Sequence, residues 1–272
     1  CDWSSDVCSS DLSGCLWRPS PTSGRESCPT DRALGGGDGP PTAFALPFAA
    51  PAASGFLPVI RALILDFDGL IIDTETALIQ AYAEVHDEHG RPFDAAAYRH
   101  AVGHVDYAFD PWFSFPAEAD RDALEAERRR RNLLINATLE PLPGVPTLLS
   151  DALAGGLALA VASNSSRGHV DGHLRRLGLR DHFRALSCRG EAPSPKPEPD
   201  LYRLAVNHLG VRPSEAVAFE DSQTGALAAH RAGLKVVAVP GPCTAHHDFK
   251  LATLRLGSLA ETRLAEMLAR LE

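Results

Sequence analysis

Five short apolar runs, most of them closed by polar or acidic residues, recur from residue 59 onward and constrain the fold more than any other feature. They are Arg61–Phe67 (RALILDF), Leu157–Ser163 (LALAVAS), Ala185–Cys188 (ALSC), Ala216–Phe219 (AVAF) and Lys235–Val239 (KVVAV). Their hydrophobicity is continuous, which marks strands covered on both faces rather than strands with one wet face. Helical stretches lie between them, at Thr147–Ala154, Gly168–Leu177, Asp200–Leu209 and Thr224–Ala232. Strands alternating with helices require right-handed crossovers, and so predict an α/β fold on a parallel sheet.

One interval is too long for a crossover. From Thr74 to Glu140 no strand pattern occurs, and Ala77–His89 and Ala117–Ala137 read as helices. The second opens with Glu118 and Asp120 and carries Arg128–Arg131 further on, an order that suits the helix dipole. The expected organisation is a core of residues 59–73 and 141–272 with a helical insert at 74–140. Such an insert would stand over the carboxyl end of the sheet, where open α/β sheets bind ligands.

Residues 1–58 differ from the rest. They are rich in Ser, Pro, Gly and Ala, show no periodicity, and hold Cys1, Cys8, Cys15 and Cys28 of the six cysteines. Asp2–Leu12 (DWSSDVCSSDL) resembles the translation of a sequencing-library adapter. The segment is therefore expected to be a non-native or disordered tail, dispensable for folding. A secretory leader around Ala43–Gly55 is disfavoured by Pro47 and Pro51, which interrupt it. Beyond the tail only Cys188 and Cys243 remain, which is no disulfide framework, so a reducing cytoplasm is the expected setting. Net charge is −9 with no basic stripe, which speaks against a nucleic-acid partner. No apolar run approaches the roughly 18 residues of a membrane span.

Polar residues gather just past the apolar runs. Asp66, Asp68 and Asp73 follow the first, Ser163 and Asn164 the second, and Glu220 and Asp221 the fourth, while Lys196 precedes the helix before the fourth. A parallel sheet would bring all of them to one edge. Carboxylates crowded together repel unless a cation neutralises them, and hard oxygen ligands point to Mg²⁺. A Mg²⁺ site beside a lysine suits a phosphate group, whose spread charge needs both.

The residues also carry a family resemblance. DFDGLIIDTE (Asp66–Glu75), VASNSS (Val161–Ser166), KPEPDLY (Lys196–Tyr202) and AFEDSQTGALAAHRAG (Ala218–Gly233) resemble, in order, motifs I to IV of the haloacid dehalogenase-like superfamily. The match extends from about Val59 to the C-terminus, and is to subfamily IA, the β-phosphoglucomutase and phosphatase-like branch. The resemblance implies a Rossmann-like parallel-sheet core with an inserted helical cap domain of C1 type. It implies that Asp66 attacks phosphorus and forms an aspartyl-phosphate. Asp68 would protonate the leaving oxygen and then activate water. Ser163 and the Asn164 backbone would bind the phosphoryl oxygens, Lys196 would offset their charge, and Gly69 would allow a tight turn beside the substrate. Mg²⁺ would be held by Asp66, the Asp68 carbonyl, Asp221 and Glu220. The implied activity is a Mg²⁺-dependent phosphatase acting on a small phosphorylated metabolite. The alternative is a phosphomutase resembling β-phosphoglucomutase. A dehalogenase has no use for Asp68 or for Mg²⁺. The oligomeric state is left open.

Several residues admit two readings at this stage. Asp73 and Thr74 either cap the first helix of the insert or serve the site. Arg128–Arg131 form a solvated helix face or reach toward a phosphate. Phe109–Phe115 (FDPWFSF) either shape substrate choice or pack the insert. His104 reads as structural, and His246 and His247 are not expected to bind a metal.

Overall fold

The computed structural model describes residues 59–102 and 109–271. The expected tail at residues 1–58 and His104, expected to be structural, lie outside the described residues. In chain order the elements are β1 (Ala62–Leu65), α1 (Thr74–Glu88), α2 (Ala95–Ala101), α3 (Arg121–Asn136), α4 (Val145–Ala154), β2 (Ala158–Ser163) and α5 (Arg167–Arg176). There follow β3 (Ala185–Cys188), α6 (Asp200–Leu209), β4 (Ala216–Glu220), α7 (Gln223–Arg231), β5 (Lys235–Ala238), β6 (Leu254–Arg255) and α8 (Leu264–Ala269). The six strands form one sheet in the order β3-β2-β1-β4-β5-β6, and every neighbouring pair is parallel.

The expected α/β architecture is therefore present. The five expected strands all form, and β6 extends the sheet at one edge. Strand order reverses at β1, which has β2 on one side and β4 on the other. Such a switch point opens a crevice at the carboxyl ends of the strands. Register places Leu65 beside both Val161 and Phe219, so β1, β2 and β4 end nearly level, within two residues of one another.

Continuous hydrophobicity in the strands has its physical reason in two unequal layers. Leu63, Leu65, Leu159, Val161, Val217 and Phe219 pack against α4, α5 and α8. Their neighbours Ala62, Ile64, Ala160, Ala162, Ala216 and Ala218 face the other way, against α6 and α7. The alanines on that face let α6 and α7 approach the sheet closely. Burying one leucine or phenylalanine here stabilises the fold by about 1.5–3 kcal/mol.

Among the described residues between β1 and α4 the regular elements are all helices, as expected, with boundaries set by caps. Asp73 accepts from the Thr76 amide at 3.0 Å, Asp94 from Ala97 at 2.9 Å and Asp120 from Ala123 at 3.0 Å. The third helix thus starts at Arg121 rather than Ala117, because Asp120 is its N-cap. Helices α1 and α3 share an apolar cluster of their own: Leu78, Tyr82, Val85, Trp112, Phe115 and Leu124. Trp112 and Phe115 therefore pack the insert, which supports the packing reading of the aromatic stretch. The arginine run is less solvated than a charge run usually is. Arg128 pairs with Glu125 and lies over the Tyr82 ring at 5.3 Å, and Arg131 pairs with Glu84, Glu88 and Glu127.

No helix among the described residues is long and apolar enough to cross a membrane. Cys188 and Cys243 are buried free thiols.

Candidate active site

The level strand ends bring the expected residues together. Asp66 follows β1, with its amide bonded to Phe219 O at 2.9 Å. Glu220 closes β4 and Asp221 follows it. Carboxylate oxygens of Asp66, Glu220 and Asp221 lie within 4.8 Å of one another, and all three residues are buried. Lys196 reaches into this group from the loop before α6. Its Nζ donates to Asp66 Oδ1 and to Glu220 Oε1, both at 2.5 Å.

The charges do not balance within this group. Among the described residues three carboxylates share one ammonium, Lys196, which is bonded to Asp66 and Glu220 and acts on Asp221 only through its charge. Burial pushes the Asp66 carboxyl up to about 7, against the downward pull of Lys196 and with help from Glu220 and Asp68. Burial likewise raises Asp221 well above the usual carboxylate range, with Glu75 and Asp66 adding to it. Lys196 is held cationic: burial alone would lower its pKa, but Asp66 and Glu220 raise it instead. A buried oxygen-rich trio short of positive charge fits a divalent cation such as Mg²⁺.

Glycines shape the floor of the site. Gly69 has φ of 80°, and a Cβ there would stand 2.4 Å from Asp221 Oδ2. Gly225, in the first turn of α7, lies so close to Glu220 that a Cβ would meet both carboxylate oxygens at 2.0 Å.

Asp68 sits apart from the trio and is surrounded by donors. Thr74 Oγ1 donates to its Oδ1 at 2.8 Å, and Ser165 Oγ to its Oδ2 at 2.7 Å. His169 Nε2 meets Oδ1 at 3.0 Å, and Ser163 Oγ is 3.4 Å from Oδ2. Burial alone would raise this carboxyl, but His169 and the two closer hydroxyls pull it down to about 2. Asp73 and Thr74 thus differ: Asp73 caps α1, whereas the Thr74 hydroxyl donates to Asp68.

Asn164 has a more definite place than its expected role. Its Oδ1 accepts from the Lys196 amide at 2.9 Å and its Nδ2 donates to the Lys196 carbonyl at 3.2 Å. The side chain therefore clamps the lysine loop. Ser163 Oγ also accepts from the Ser165 amide at 3.0 Å.

Five neighbours were not singled out from the sequence. Ser165 and His169 hold Asp68, as described above. Tyr202 Oη donates to Glu220 Oε1 at 2.5 Å, and Thr244 Oγ1 lies 3.3 Å from Asp221 Oδ2. Glu75 faces the cluster, where burial and then the charges of Asp68, Asp66 and Asp73 raise its carboxyl to about 8. His246 and His247 stand elsewhere: the Gln223 amide donates to His247 Nδ1, and His247 Nε2 donates to Val102 O at 3.0 Å.

Comparison with known proteins places this arrangement. The family model described as haloacid dehalogenase-like hydrolase matches residues 60–233. The Bacillus subtilis (strain 168) protein YhcW is 38% identical over 215 residues, covering 77% of this chain and 97% of that protein. The Thermotoga maritima protein named phosphorylated carbohydrates phosphatase is 29% identical over 213 residues, with 77% and 97% covered. The crystal structure of CbbY from Rhodobacter sphaeroides in complex with phosphate superposes with a TM-score of 0.62 at 30% identity, covering 76% of this chain and 98% of that one.

Proposed function

Since the chain belongs to the haloacid dehalogenase-like hydrolases and is a phosphoric monoester hydrolase, we propose that it is a Mg²⁺-dependent phosphatase of a small, sugar-phosphate-like metabolite, working through an aspartyl-phosphate on Asp66. The observation that carries this reading is the buried Asp66–Lys196–Glu220–Asp221 group with Asp68 two residues from Asp66.

Asp66, Glu220, Asp221 and the Asp68 carbonyl would hold Mg²⁺, which when bound supplies charge neutralisation between the nucleophile and the phosphoryl oxygens. The chain's own groups do the rest. Lys196 fixes the aim of Asp66 and offsets negative charge as the carboxylate bonds to phosphorus. The bond from phosphorus to the ester oxygen breaks, and Asp68, ionised in the free protein, would take up a proton as the negative phosphoryl group arrives beside it and give that proton to the ester oxygen. Water then attacks the aspartyl-phosphate with Asp68 taking its proton, which returns Asp66 and frees phosphate. Ser163 and the amides at the start of α5 receive the phosphoryl oxygens, since a helix N-terminus favours an anion. Asn164 contributes by holding the Lys196 loop.

The substrate class rests on two supports. One relative is named for phosphorylated carbohydrates. The other is Glu75, a carboxyl facing the site from α1, able to accept hydrogen bonds from hydroxyls of a polyol. Helices α1 to α3, residues 74–140 with their own apolar cluster, would act as a cap that excludes water from the site. The acidic net charge fits a small-molecule ester better than nucleic acid, and the free thiols Cys188 and Cys243, among the described residues, fit a reducing cytoplasm.

The test is phosphate release from a panel of phosphomonoesters, with and without Mg²⁺, by the full chain and by Asp66→Asn. The expected result is release that requires Mg²⁺ and falls by roughly three orders of magnitude or more in the variant. Release that persists in Asp66→Asn would remove Asp66 as nucleophile. Interconversion of sugar phosphates with a bisphosphate activator, without phosphate release, would replace hydrolysis by phosphomutase activity.

A further inference from the structure

We propose that His169 is a positioning residue for Asp68, fixing the plane and direction of the carboxylate that serves the leaving group. The inference rests on the reading of Asp68 as acid and base. Among the described residues four groups face that carboxylate, and three of them are hydroxyls: Thr74, Ser165 and Ser163. A hydroxyl hydrogen rotates about its C–O bond and defines direction poorly. The imidazole is the one rigid, planar donor of the four.

The ring is itself held. Ser166 is the N-cap of α5, its Oγ accepting from the His169 amide, so His169 stands in the first turn. Side chains on a helix lean toward its N-terminus, which sends His169 toward Asp68, 101 residues away in sequence. The Phe67 ring lies edge-on to the imidazole at 5.7 Å, and His173, one turn further along α5, at 4.8 Å. Phe67 is fully buried, and burial, followed by the charges of His169 and Arg176, depresses His173 to about 4 and keeps it neutral. His169 is thus braced between an apolar ring and a neutral one, with Nε2 directed at Oδ1.

A purely structural role accounts for this poorly. Ser166 already caps α5, and the side chains of His169 and Asp68 both keep about a quarter of their surface exposed. A half-buried pair that keeps this contact with water adds only modestly to stability. Thr74 belongs to α1 and His169 to α5, so Asp68 is gripped on one oxygen from the insert and from the sheet-packed layer together. Losing the histidine would free the carboxylate to turn about its last bond.

The experiment compares kcat/KM of the full chain, His169→Ala and His169→Gln on two probes in the presence of Mg²⁺. One is p-nitrophenyl phosphate, whose leaving group needs no proton. The other is an alkyl phosphomonoester that the wild type hydrolyses, drawn from glycerol phosphate and hexose 6-phosphates. The expected result is a loss of about 10- to 100-fold on the alkyl ester in His169→Ala, against less than about 3-fold on the aryl ester. Gln, which can place an N–H near the same point, should recover most of the loss. Equal losses on both probes, no loss on either, or failed rescue by Gln would overturn the role of His169 and leave the phosphatase reading standing. Wild-type protein that releases phosphate from neither probe would take away the reading and the inference together. Thermal melting of each variant separates misfolding from misplacement, since a Tm within a few degrees of wild type is expected.

Discussion

Gly69 turns the chain directly under Asp221, with φ of 80° and space for no Cβ within 2.4 Å of that carboxylate. Gly69→Ala therefore carries two penalties: a left-handed conformation costing about 1–2 kcal/mol for any other residue, and a push on an expected metal ligand. Mg²⁺ affinity by calorimetry should weaken roughly 10- to 100-fold, the range seen when groups supporting a metal site are disturbed. Unchanged affinity would show that Asp221 holds no metal. Tyr202→Phe makes the complementary case. It removes only the hydroxyl that donates to buried Glu220 at 2.5 Å. A lost hydrogen bond to a charged group costs about 1.5–3 kcal/mol, so melting should drop by several degrees. A Tm equal to wild type would mean that water or Ser222 replaces the hydroxyl at no cost. These two residues also mark what a sequence reveals at this scale. Asp66, Asp68, Ser163, Glu220 and Asp221 were legible because each follows or closes an apolar strand, and strand ends converge. Tyr202, Thr244, Ser165 and His169 were not, because their partners are set by packing. Tyr202 reaches Glu220 across 18 residues, and Thr244 reaches Asp221 across 23.

Elements were legible where they carried a period, and unreadable where they did not. The strands β1 to β5 are apolar throughout because two helical layers cover them. Strand β6 has two residues, both partly exposed, which is too short for any period to appear. Helix α2 has no buried residue, so its sequence AAAYRHA lacks an apolar face, and only the Asp94 cap marks where it starts. Helix α8 is a six-residue turn that buries Leu264 and Met267. The α1–α3 pair shows how charge residues can mislead. Arg131 looked like part of a solvated run, yet it joins three glutamates on two helices. Arg131→Met keeps the alkyl stem and deletes the ion pairs. The expected cost is about 1 kcal/mol, felt locally. Hydrogen exchange should speed up at amides of α1 and α3 and stay unchanged in β1, β2 and β4. Uniform acceleration across the sheet would show that the insert does not open by itself.

Across the whole molecule, function is a matter of unbalanced charge in a place water does not reach. The two-layered sheet buries Asp66, Glu220 and Asp221 at one edge, and one lysine does not neutralise them. In the metal-free protein the cost is met by protons: Asp66 is raised to about 7 and Asp221 well above its ordinary value. The sign follows from linkage. A carboxyl with a raised folded pKa contributes stability that is complete below its unfolded pKa and is lost as pH rises through the folded value. Metal-free protein should thus lose this contribution between about pH 4 and pH 7, and be weakest above pH 7. A bound divalent cation does the opposite, since it requires the same carboxylates ionised and must displace their protons. Saturating Mg²⁺ should therefore raise Tm more at pH 8 than at pH 6, because stabilisation grows with ligand concentration over an apparent Kd that protons weaken. Scanning calorimetry with and without Mg²⁺ at the two pH values reads this directly. An equal or larger gain at pH 6 would mean that the cation binds away from Asp66 and Asp221, and would remove the electrostatic basis for placing catalysis at this edge of the sheet.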